Sequence, residues 1–91
     1  MFFHLYLDVK LPPDMPEAEA SALKAREVET VQRYQREGKW PHMWRVAGRY
    51  ANISIVECAD ADELHAMVSA LPLFPWLEVT VTPLARHPAK I

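Results

Sequence analysis

The chain has 91 residues, a nearly balanced formal charge of −2 and a single cysteine. This length has room for one domain, and the absence of a basic cluster argues against nucleic-acid binding. One cysteine excludes an internal disulfide bond and a cysteine-based zinc site, and no apolar run approaches the roughly 20 residues that span a bilayer. The amino end has no signal-peptide pattern. We therefore expect one domain over residues 1–91 in a cytoplasmic protein.

The first half of the chain predicts a strand and a long helix. Apolar and polar residues alternate from Phe2 to Lys10, which is the period of a half-buried strand. Prolines at positions 12, 13 and 16 end this strand, because proline cannot donate to a sheet, and Asp14 is placed to cap the next element. Residues 17–37 lack glycine and proline and are rich in helix formers, which predicts a helix that ends at Gly38.

The middle of the chain predicts a β-hairpin. Lys39–Ala47 and Tyr50–Cys58 are rich in strand-forming residues and are joined by the turn residues Gly48-Arg49. In the first of these strands, alternation predicts a shared face for Trp40, His42, Trp44 and Val46.

The last third predicts a second helix and a fourth strand. Asp60 and Glu63 form a capping pair at the start of a helix over residues 60–70. Residues 76–84 alternate again, and the tail over about 85–91 has no periodic pattern. The order βαββαβ is that of the α+β, ferredoxin-like fold, in which two helices cover one face of an antiparallel sheet. Because the strands carry bulky residues on both faces, we expect the open face to contact another subunit. We also expect the tail to contact another subunit.

The strongest candidate for chemistry is Glu27, which lies in the centre of an apolar helical stripe. The stripe is formed by Ala20, Leu23, Val31 and Tyr34. A carboxylate there loses hydration, which raises its pKa toward the range useful for a general base. Alternatively, Glu27 forms a structural ion pair with Lys24 or with a strand residue. Lys24 borders the stripe, where it serves either as a donor or as an ordinary lysine extended into water.

Further polar candidates lie on the hairpin. Tyr50, Asn52 and Ser54 form a row that either lines a pocket or is satisfied within the core. Arg45 and Arg49 flank the turn, where either could hold a carboxylate or simply be solvated. His42 is more typical of packing, but it is the second candidate for the base. The four histidines lack metal-ligand spacing and no Gly-rich phosphate loop exists, so we expect no metal and no cofactor.

Six segments in this order resemble the muconolactone Δ-isomerase family. They are Val9-Lys10-Leu11-Pro12, Gln35-Arg36-Glu37-Gly38, Trp44-Arg45, Tyr50-Ala51-Asn52, Leu71-Pro72-Leu73-Phe74-Pro75 and Arg86-His87-Pro88. The similarity runs without gaps from about Phe3 to Pro88, and the helix with Lys24 and Glu27 also fits the family pattern. Arg49 departs from the family pattern, since histidine is common at that position in the family. This difference bears on which lactone the protein prefers more than on which reaction it catalyses.

The resemblance implies a cofactor-free isomerase with a dimeric α+β barrel, commonly assembled as a decamer of five dimers. Its activity would be the conversion of muconolactone into 3-oxoadipate enol-lactone, in bacterial catechol degradation by the β-ketoadipate pathway. Glu27 and Lys24 are then the candidate catalytic residues, and the candidate substrate-binding residues are Tyr50, Asn52, Arg49 and His42. Two alternatives remain at this point, a chloromuconolactone dehalogenase and a non-catalytic ligand-binding or oligomerisation module.

Overall fold

A computed structural model describes all residues, 1–91, as one four-stranded sheet with two helices. The elements are β1 (Phe2–Val9), α1 (Glu17–Arg36), β2 (His42–Arg45), β3 (Ala51–Glu57), α2 (Ala61–Ser69), a 3₁₀ turn (Phe74–Trp76) and β4 (Leu77–Leu84). The strand order is β2-β3-β1-β4, and every neighbouring pair is antiparallel. The predicted α+β, ferredoxin-like arrangement of the single chain is therefore confirmed.

The core lies between the inner face of the sheet and the two helices. Alternation in β1 buries Phe3, Leu5 and Leu7, and these residues pack against buried side chains of both helices. Tyr34 of α1 connects the layers, because its ring stacks on Trp40 at a centroid distance of 6.0 Å and its hydroxyl donates to the Met67 carbonyl of α2 at 3.1 Å. Both helices are thereby held on one face of the sheet.

The outer face of the sheet is not covered by any element of the chain. The paired residues on this face are His4 with Ile55, Tyr6 with Ile53, and Trp44 with Ile53. Trp44 is 57% exposed, and its ring stacks on His42 at 5.4 Å. The bulky residues predicted on both faces of the strands are thus present, with the outer set in contact with solvent in the single chain.

The two edges of the sheet are formed by β2 and β4. Strand β2 has only four residues. Strand β4 contains Pro83, which is compatible with an edge strand because no further strand needs its missing N–H.

Two local predictions were wrong. The strand predicted over Lys39–Ala47 is only His42–Arg45, because Pro41 has no N–H to continue the ladder. Trp40 therefore does not share a face with His42 and Trp44. It turns into the core instead, where it is 1% exposed.

The other wrong prediction concerns the start of α1. Asp14 does not cap this helix, because the capping position is Pro16 and Asp14 lies two residues too early. The cap predicted for α2 is confirmed: Asp60 Oδ1 accepts from the Glu63 N–H at 2.8 Å, and Glu63 Oε1 accepts from the Ala59 N–H at 3.3 Å. Neither helix has the length and apolarity required to cross a membrane.

Candidate active site

A cavity of about 240 Å³ lies between α1, the inner face of the sheet and the segment 71–77. Pockets for drug-sized ligands have roughly 300–1,000 Å³, so this one suits a small single-ring molecule. Most of its lining is apolar, and the only charged residues that line it are Lys24, Glu27 and Arg45. The cavity therefore combines a largely apolar lining with two cations and one carboxylate.

Glu27 projects from the apolar stripe of α1 into this lining. It is half-buried, and its Oε1 accepts a hydrogen bond from the Leu73 N–H at 3.0 Å. Loss of hydration raises the pKa of the Glu27 carboxyl above its ordinary value, and the hydrogen bond from Leu73 partly opposes this rise. One carboxylate oxygen is thus fixed by the backbone, and Oε2 has no protein partner.

Lys24 and Tyr50 lie together at the same cavity. Lys24 is one helical turn before Glu27, which puts both side chains on one side of α1. Its Nζ lies 4.9 Å from the centroid of the Tyr50 ring. The alternative of an ion pair between Lys24 and Glu27 is not seen, since no such pair is within 4.0 Å.

Asn52 of β3 faces the cavity from the sheet. Its Oδ1 accepts a hydrogen bond from the buried Ser54 hydroxyl at 2.7 Å. The carbonyl end of the amide is therefore held, and its two N–H donors have no protein partner. Of the polar row on this strand, Tyr50 and Asn52 line the cavity, whereas Ser54 acts on it through Asn52.

The structure does not bring His42 or Arg49 to this cavity. His42 lies on the outer face of the sheet, stacked on Trp44. Arg49 is in the hairpin turn, where its Nη2 lies 3.4 Å from Asp8 Oδ2. Its guanidinium already has a carboxylate partner within the chain.

Sequence reasoning missed several residues of the lining. The sequence pattern does not distinguish Arg45 from Arg49, and it gives no signal for Gln32, Gln35 or Met43. Alternation puts Trp40 on the wrong face, although Pro41 is a signal that the strand begins after it. No three His, Cys, Asp or Glu side chains lie close enough together to hold a metal ion. The absence of cofactors stays a prediction.

Comparison with known proteins assigns the family. The family model described as muconolactone delta-isomerase matches residues 1–90. The chain is 50% identical to the muconolactone delta-isomerase of Cupriavidus pinatubonensis over 91 residues, covering 100% of this chain and 99% of that protein. It is 47% identical to the enzyme of the same name from Pseudomonas aeruginosa, covering 100% and 95%. A crystal structure of muconolactone isomerase superposes with a TM-score of 0.95 at 49% identity, over 100% of this chain and 95% of the other. The chain therefore belongs to the muconolactone delta-isomerase family.

Proposed function

We propose that the chain is an isomerase that converts muconolactone into 3-oxoadipate enol-lactone, with Glu27 as the base. The observation that carries the proposal is the half-buried Glu27 carboxylate at the wall of a small apolar cavity, with its pKa raised by burial. A base with a raised pKa removes a weakly acidic carbon-bound proton more effectively and still returns it. The names of the relatives agree with this reaction class.

The reaction moves one proton and one double bond. Glu27 Oε2 takes the proton from ring carbon four, and the electron pair of the broken C–H bond enters the ring system to form a dienolate. The negative charge gathers on the lactone carbonyl oxygen. The protonated Glu27 then delivers the same proton to ring carbon two, so that the double bond ends between carbons three and four. Atoms and charge balance without a co-reactant, and one carboxylate serves both transfers.

Donors near the carbonyl oxygen lower the energy of the dienolate. Lys24, the Tyr50 hydroxyl and the amide N–H groups of Asn52 are the candidates, because all three residues line the cavity that contains Glu27. One such donor typically contributes about 3–4 kcal/mol to the stabilisation of an oxyanion. The bond from Ser54 orients the Asn52 amide so that its N–H groups stay available.

The alternatives have less support. No contact in the cavity favours loss of chloride, and the relatives named above are isomerases, which argues against both the chloromuconolactone dehalogenase and the non-catalytic module. The substrate-binding roles predicted for His42 and Arg49 are not part of this proposal, since both lie outside the cavity of the chain.

Assembly and location belong to the same proposal. The uncovered outer face, with Tyr6, Trp44, Ile53 and Ile55, supports a homodimer in which two such faces pack together. A decamer of five dimers and a role in catechol degradation by the β-ketoadipate pathway follow from the family resemblance. A contact of the tail 85–91 with another subunit and a cytoplasmic location, both expected from the sequence, complete the proposal.

The test is the replacement of Glu27 by glutamine, which keeps the shape but removes the basicity. Isomerisation takes the ring double bond out of conjugation with the carbonyl, so ultraviolet absorbance follows turnover. We expect Glu27→Gln to lower kcat by roughly 10²–10⁴-fold. The control is Glu29→Gln on the exposed side of α1, which should stay within twofold. Activity should also survive exhaustive chelation. A Glu27→Gln variant within a few-fold of the parent enzyme would refute the assignment.

A further inference from the structure

Two cations lie against one aromatic ring at the cavity. Lys24 Nζ and Arg45 Cζ are each 4.9 Å from the centroid of the Tyr50 ring. Cations are attracted to the face of an aromatic ring, which holds them in place without neutralising them. The ring of Tyr50, which is 43% exposed, thus positions two positive charges at the wall of the cavity.

Neither cation is neutralised within the chain. The structure contains two ion pairs, Lys10 with Glu78 and Arg49 with Asp8, and neither involves a charge of the cavity. Glu27 is the only acidic residue in the lining, and it is not within ion-pair distance of Lys24 or Arg45. With Glu27 ionised, the cavity still has one positive charge in excess, which favours an anionic ligand.

The strand register explains why Arg45, and not Arg49, reaches the cavity. Strand β2 begins at His42, and Arg45 pairs with Asn52 of β3 on the face that lines the cavity. Arg49 lies beyond the strand, in the turn, and is paired with Asp8. The two hairpin arginines therefore differ in two respects, since only Arg45 lines the cavity and only Arg45 is without a carboxylate partner.

We propose that Arg45 binds the carboxylate of the substrate side chain and so makes the enzyme selective for lactones with an anionic side chain. This rests on the proposed function. A planar guanidinium can bind a carboxylate through two parallel hydrogen bonds, which a lysine ammonium cannot do. Lys24 lies one turn from Glu27 and is left for the lactone carbonyl, where the charge develops next to the base.

The test measures binding, and it does not depend on turnover. Two saturated lactones that cannot isomerise serve as probes: the 4-carboxymethyl lactone, and its primary amide, which has the same shape without the charge. Titration calorimetry gives the ratio of the two dissociation constants, amide over acid. For wild type we expect the acid to bind about 10- to 100-fold more tightly, as for a charge-assisted hydrogen-bonded pair.

The variants separate the role of Arg45 from general effects. Arg45→Gln should reduce the ratio to near one, Arg45→Lys should leave an intermediate ratio, and Arg49→Gln should keep the wild-type ratio. For muconolactone itself, Arg45→Gln should raise KM much more than it lowers kcat. Should Arg45→Gln fail to fold, Arg45→Met is the second neutral variant, since its side chain retains apolar contact with Tyr50.

A wild-type ratio near one, or an unchanged ratio in Arg45→Gln, would overturn the assignment of Arg45. The proposed function fails on a different result, namely full activity of Glu27→Gln. The two hypotheses are therefore tested independently.

Discussion

The hydrogen bond from Leu73 to Glu27 can be removed with a single substitution. The Leu73 N–H donates to Glu27 Oε1 at 3.0 Å, and the Leu73 backbone has φ −86°, close to the range that proline requires. Leu73→Pro removes this donor. Leu73→Ala keeps the donor and is the matched control, because both substitutions remove the buried leucine side chain.

The size of the effect follows from the charge of the acceptor. A hydrogen bond to a charged group is worth about 1.5–3 kcal/mol, and about 1.4 kcal/mol corresponds to one pH unit. The bond stabilises the ionised form of Glu27, so its loss raises the pKa of Glu27 further. The base then becomes protonated at higher pH, and the acidic limb of the rate profile moves up by roughly one to two pH units relative to Leu73→Ala.

The assay is kcat/KM for muconolactone across pH, which reports the ionisation of the free enzyme. Circular dichroism of both variants checks that each is folded before the profiles are compared. Coincident acidic limbs in Leu73→Pro and Leu73→Ala would refute the reasoning, because the N–H of Leu73 would then have no influence on the base.

Two further predictions concern stability and assembly. Tyr34→Phe removes the buried hydroxyl that donates to the Met67 carbonyl, so we expect the free energy of unfolding, measured with denaturant, to fall by about 1–3 kcal/mol. Activity should be retained, since Tyr34 does not line the cavity. An unchanged midpoint would show that this bond contributes nothing to stability. Ile53→Lys puts a charge on the outer face of the sheet and should reduce the particle size in light scattering, whereas Glu29→Lys on α1 should not. A wild-type particle of 10.5 kDa would contradict assembly altogether.

Glu27 was found from the sequence because the signal is local. The spacing of Ala20, Leu23, Val31 and Tyr34 defines the buried side of α1, and a carboxylate within it stands out whatever the rest of the fold does. The succession of elements along the chain, and with it the ferredoxin-like fold, followed from local periodicity in the same way. Features with a short sequence period are therefore those that the sequence alone predicts well.

The place of Arg45 in the cavity lining and the bond from Leu73 to Glu27 could not be identified in this way, since both depend on distant parts of the chain. To choose between Arg45 and Arg49, one must know the register of β2 against β3. One must also know that Asp8, which lies 41 residues before Arg49 in the sequence, is the partner of Arg49. The contribution of Leu73 comes from its backbone N–H, which every residue except proline has, so no side-chain pattern marks it. The position of His42 on the outer face depends in the same way on where β2 begins, and its role in substrate binding stays a prediction.

The edges of the sheet have a consequence for how copies of the chain associate. An exposed strand edge that accepts another strand can be extended without end, which leads to fibres and not to closed particles. Here one edge is the four-residue β2, and the other contains Pro83, which has no N–H to offer a neighbour. The addition of further strands is therefore disfavoured at both edges of the sheet. In the homodimer proposed above, contact through identical outer faces closes on itself after two copies, so a larger particle requires a second, different interface.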